Sequence, residues 1–72
     1  KHNLSKASII MEKAIEIAPG EAISLDHLGD IYFALGRKRE AYFMWIQALD
    51  LAEPVDNISE SVQMKLDKYN AR

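Results

Sequence analysis

Asp26, His27 and Asp30 are the residues whose types and spacing first suggest chemistry. Positions three and four apart share one face of a helix, so two carboxylates and an imidazole would stand together there. Such a trio invites a metal reading, but a structural zinc site takes four ligands, usually with cysteine or further histidines. Nothing completes that set, and His2 stands far off at the start of the chain, so no metal site is expected. Without an ion the trio reads either as a solvated helix face or as part of an acidic partner groove. Catalysis finds less support. The chain has no cysteine nucleophile, no glycine-rich phosphate loop, and no serine whose context implies a triad with His27. The expectation is a non-enzyme that needs no cofactor. Arg37, Lys38 and Arg39 form a small basic cluster without the interleaved aromatics of single-strand nucleic-acid binders, so it reads as an exposed helix junction.

Composition narrows the class. At 72 residues the chain makes one small domain, with little surface to bury and a thin stability margin. Hydrophobic residues at 49% against 28% charged place it among globular rather than disordered chains. A net charge of -2 is too balanced to favour nucleic acid. The absence of cysteine removes disulfides and thiolate sites and leaves the compartment open. No apolar run approaches the roughly 20 residues that span a bilayer, so no membrane insertion is expected. The chain reads as a fragment beginning in mid-architecture, so the lack of a leader at Lys1 carries no information about a parent protein.

Four helices would position these residues. Over 4–18, Leu4, Ala7, Met11, Ala14, Ile15 and Ala18 recur at helical spacing and, with Ile10 and Ile17 flanking them, fill an arc of roughly 160° on the helical wheel. Ile9 falls on the polar side, and Pro19-Gly20 ends the segment. A second helix spans 22–35, with Leu25, Leu28, Tyr32 and Leu35 as its stripe and Gly29 inside that stripe. An interior glycine costs about 1 kcal/mol relative to alanine. Its place on the packing face predicts that another backbone comes close. Gly36 is expected as a left-handed cap. The third helix, 38–52, has the widest apolar arc, Trp45 within it and Phe43 half exposed, and wants neighbours on two sides. After Glu53-Pro54, Asn57 and Glu60 read as a capping box opening a last helix over 57–70. Its stripe of Ile58, Val62, Leu66 and Tyr69 is narrow, about 80° wide, with Gln63, Asp67, Lys68 and Asn70 on the polar remainder.

Sliding the chain by 34 residues lays Ala7, Met11, Ala14, Ile15, Ile17 and Ala18 over Ala41, Trp45, Ala48, Leu49, Leu51 and Ala52. That period and the run Leu25-x2-Leu28-Gly29-x2-Tyr32, then Ala41-x3-Trp45-x2-Ala48 and a closing proline, resemble the tetratricopeptide repeat. Leu25 stands where the motif usually has tryptophan, and Pro54 comes one residue late relative to Pro19, which predicts a reshaped junction before the last helix. The combination HLGD, GRKREA and Trp45 is similar to the final repeat of tetratricopeptide proteins from alphaproteobacteria. The resemblance covers nearly the whole chain. It implies an all-α fold of antiparallel helix-turn-helix units in an α-α superhelix: 4–18 a second helix of a partial repeat, 22–52 a complete repeat, 57–70 a capping helix.

By the same resemblance, the chain would be a protein-binding scaffold whose exposed concave residues are Ile23, Asp26, His27, Asp30, Phe33 and Ala34, with Glu60, Met64 and Asp67 added by the capping helix. Family members that grip carboxylate tails use lysine, arginine and asparagine there. Aspartates stand here instead, so a basic or basic-apolar peptide is the expected partner. A different class of function is self-association. The first helix lacks the helix that would precede it in a complete repeat, leaving a bare patch around Leu4, Ile10 and Ile17 for a second copy, stacked or helix-exchanged.

Overall fold

A computed structural model describes residues 3–69. His2, and Asn70 in the expected last helix, lie outside them. The described residues are all-helical: α1 (Leu4–Ile17), α2 (Ala22–Ala34), α3 (Lys38–Leu51) and α4 (Ser59–Tyr69), with one 3-10 turn, Pro54–Asp56, between α3 and α4. The α2–α3 hairpin forms the centre, α1 packs on α2, and α4 packs on α3. No described helix is long and apolar enough to cross a membrane.

Local chemistry sets each boundary. The Asn3 side chain accepts from the Lys6 amide at 3.0 Å, capping α1. Pro19-Gly20 follows its end, since proline cannot extend the helical ladder. The α2 terminus closes as a Schellman motif. Arg37 N–H donates to Tyr32 O at 2.9 Å and Gly36 N–H to Phe33 O at 3.0 Å, with Gly36 at φ +86° in the left-handed region. Where this motif often has an apolar contact, the Arg37 guanidinium sits 4.3 Å above the Tyr32 ring and is held by Glu40 at 2.8 Å.

The junction before α4 differs from expectation. Asn57 is not the N-cap of the last helix, and its pairing with Glu60 does not form. The capping box lies one turn earlier: the Glu53 amide donates to Asp56 Oδ2 at 2.9 Å, and the Glu53 side chain returns to the Asp56 backbone. Asn57 closes that turn at φ 54°, a left-handed conformation that asparagine tolerates better than most residues. The helix starts at Ser59, two residues late, because the late proline inserts a 3-10 turn.

The core consists of Leu28 and Tyr32 from α2, Ala41 and Trp45 from α3, and Val62 from α4, flanked by Met11 and Ile15 from α1. Trp45 and Val62 are its largest fully enclosed side chains. Full burial of a valine contributes about 1.5–3 kcal/mol, so α4 is held by one strong apolar anchor and a set of weaker ones. Gly29 corrects a second expectation. What comes close to it is the Trp45 indole, not another backbone: a methyl built at Gly29 would fall 2.5 Å from Trp45 Cδ1. Phe43, at 58% exposure, and Ile9, at 53%, face outward as their wheel positions predict.

Candidate functional site

The outward face of α2 carries most of the expected site. Ile23, His27, Asp30 and Ala34 are exposed there and follow one another at three- and four-residue spacing. Phe33 is half-buried, its ring centroid 5.7 Å from that of Trp45 and 4.3 Å from that of Tyr69. Asp26 departs from expectation: it is buried, at 7% exposure, not part of an open face.

The cause is Lys65 of α4. Its ammonium donates to Asp26 Oδ1 at 2.8 Å and to Asp30 Oδ1 at 2.9 Å. Asp26 and Asp30, four residues apart, stand one turn above each other, so one cation can bridge both. The pair is asymmetric, since the Asp26 side chain is 10% exposed and that of Asp30 49%. Burial works against the charged ammonium, but the two carboxylate hydrogen bonds outweigh it and hold Lys65 above the ordinary lysine range. The ammonium also lies 5.6 Å over the Trp45 ring. With Lys65 against Asp26 and Asp30, Tyr69 against Phe33, and Val62 packed in the core with Trp45, α4 lies in the cleft between α2 and α3.

The metal reading of Asp26, His27 and Asp30 meets this geometry directly. Two of the three groups already hold a lysine, and among the described residues no three metal-binding side chains converge. Glu60, Met64 and Asp67 do not join the α2 face. Glu60 and Asp67 fall about 140° and 160° round the wheel from Lys65, and all three are exposed on the far side of α4.

Two groups in this region were not singled out from sequence. Lys65 lies within about 20° of the apolar stripe of α4, and a cation on the greasy edge of a helix is the signal that could have found it. Glu12 of α1 accepts from the Tyr32 hydroxyl at 2.5 Å, tying α1 to α2. Burial, then this hydrogen bond, push the Tyr32 hydroxyl up to about 12.

The self-association patch resolves into separate parts. Ile10 and Ile17 are 59% and 85% exposed. Leu4 is half-buried and lies more than about 100° round α1 from them, on the Met11–Ile15 side, so the three do not form one surface. The internal period explains the exposed pair. Ala41 and Ala48 are fully buried in α3, whereas their counterparts Ala7 and Ala14 in α1, beside Ile10 and Ile17, are only partly covered.

No family model matches the chain, and neither a curated protein nor a solved structure matches it.

Proposed function

We propose that this chain is a protein-interaction module of tetratricopeptide-repeat type, a scaffold and not a catalyst, which receives a basic-apolar helical or peptide partner on the face of α2. The observation that carries the reading is the joint hold of Asp26 and Asp30 on one ammonium, beside the half-buried ring of Phe33 and over the buried ring of Trp45. Paired carboxylates next to aromatic rings favour a lysine or arginine flanked by apolar side chains. The 34-residue correspondence of α1 with α3 and the seating of Trp45 against Gly29 support the repeat assignment. Fluorescence anisotropy with labelled amphipathic peptides of opposite net charge tests it. Basic peptides should bind preferentially, and Asp26→Lys with Asp30→Lys should invert the preference; indifference to charge in either chain would refute the reading.

The exposure of Ile10 and Ile17 favours a second reading, a homodimer formed through α1. Sedimentation at rising concentration separates the two. Ile10→Asp should dissociate such a dimer and spare peptide binding, and a strict monomer at hundreds of micromolar would remove it.

A further inference from the structure

We infer that α4 is an internal occupant of the binding face, and that the partner is an amphipathic helix carrying a lysine or arginine in the register of Lys65, which binds by displacing α4. This rests on the interaction-module reading and specifies its ligand. The evidence is what α4 does inside the chain. It presents Val62, Lys65, Leu66 and Tyr69 to the cleft, at spacings of three, four and seven residues. Those are the anchor positions of a helix laid in a groove. Val62 enters the core, Lys65 bridges Asp26 and Asp30, and Tyr69 stacks near Phe33 and Trp45. The face thus holds a ligand of defined chemistry: aliphatic, cation, aliphatic, aromatic.

Three features make that ligand exchangeable. At 11 residues α4 falls short of the roughly 12–15 that an isolated helix needs, so its order depends on the cleft. Only Val62 among its residues is fully enclosed. Its tether is a 3-10 turn ending at left-handed Asn57, with none of the turn's residues buried. The occupancy is also incomplete. Lys65 offers a point charge to two carboxylates and leaves Asp30 half exposed, while Ile23 and His27 stay uncovered beside it. An arginine in the same register would present a fork of donors to both carboxylates. Charge complementarity therefore favours a basic amphipathic helix from another protein over a second copy, whose α4 would bring only the same contacts.

The test uses the full chain, unaltered and as Lys65→Glu, titrated with a fluorescein-labelled peptide of residues 58–69 and with the same peptide carrying glutamate at the position of Lys65. The lysine peptide should bind Lys65→Glu at least tenfold more tightly than the unaltered chain, because the internal competitor, at an effective concentration in the millimolar range, has been released. The glutamate peptide should bind neither. Should Lys65→Glu fail to fold, Val62→Ala loosens α4 without a charge change and must shift affinity the same way. In amide NMR spectra of the unaltered chain, saturating peptide should move the signals of 59–69 and leave those of α1 intact. Equal affinity for both chains, with α4 signals unmoved but binding still lost on Asp30→Lys, overturns displacement and leaves the interaction module standing. Failure of the lysine peptide to bind the released face overturns both. Exchange of α4 between two copies in place of peptide capture overturns the inference in favour of a self-pairing surface.

Discussion

The pyrrole edge of Trp45 occupies the space in which a side chain at Gly29 would begin, with Cδ1 2.5 Å from the position of a Cβ and Nε1 closer still. Trp45 is 1% exposed, and its buried Nε1 has no hydrogen-bond partner among the described residues. The glycine therefore serves packing and not a turn: α2 gives up helix propensity so that the largest side chain of α3 can seat against it. Gly29→Ala sets two effects against each other. Alanine regains about 1 kcal/mol of helix propensity, and overpacking costs about 1–3 kcal/mol, more when a rigid ring must move. A net loss of about 1–2 kcal/mol in urea unfolding, followed by Trp45 fluorescence, is expected; a gain in stability would show that the ring does not rest there.

The two aspartates that share Lys65 should not contribute equally. The Asp26 side chain is 10% exposed and that of Asp30 49%, so solvent screens the second contact far more. Asp26→Asn should cost about 1–3 kcal/mol, as expected for a charged hydrogen bond in a partly buried site, and Asp30→Asn less than about 1 kcal/mol. Added salt should narrow the Asp30 effect first. Equal losses in denaturant unfolding would mean that burial does not set the strength of this pair.

Alkaline pH should loosen the α1–α2 seam. In the folded chain the Tyr32 hydroxyl is raised to about 12, against about 10 for an unperturbed tyrosine. A group raised on folding contributes fully below its unfolded value and loses that contribution as pH climbs through its folded value. The Tyr32 contribution is therefore complete at neutral pH and drains between pH 10 and 12. Lys65, also raised, weakens in the same direction above the ordinary lysine value of about 10.4. Tyr32→Phe should cost about 1 kcal/mol at neutral pH and flatten the fall of Tm over that window. A fall as steep in Tyr32→Phe as in the unaltered chain would assign the alkaline loss elsewhere.

How much of this could be read from the sequence follows from how local each feature is. The four helices come from apolar spacing and from the stops at Pro19-Gly20 and Gly36, all within a few residues, and they stand where the pattern puts them. The start of α4 misled because Asn57 and Glu60 have capping-box spacing, while Glu53 and Asp56, one turn earlier, form the box. Gly29 was legible as a close approach, but its partner lies 16 positions away in another helix, and nothing local separates a ring from a backbone. The site shows the same limit. A wheel places Asp26 and Asp30 on one face of α2, yet whether that face is open depends on Lys65, which comes from across the cleft. Apolarity alone puts Leu4 with Ile10 and Ile17, but the wheel separates it from them.

Charge exchange across the cleft tests most directly the claim that the α2 face recognises a cation-bearing helix. Anisotropy titrations would pair the unaltered chain and the Asp26→Lys, Asp30→Lys chain, each verified by circular dichroism, with the 58–69 peptide in its lysine and glutamate forms. The account predicts that the lysine peptide fails on the reversed chain and that the glutamate peptide binds it, restoring the attraction with its sign inverted. If the reversed chain folds but binds both peptides alike, or neither, recognition does not run through Asp26 and Asp30.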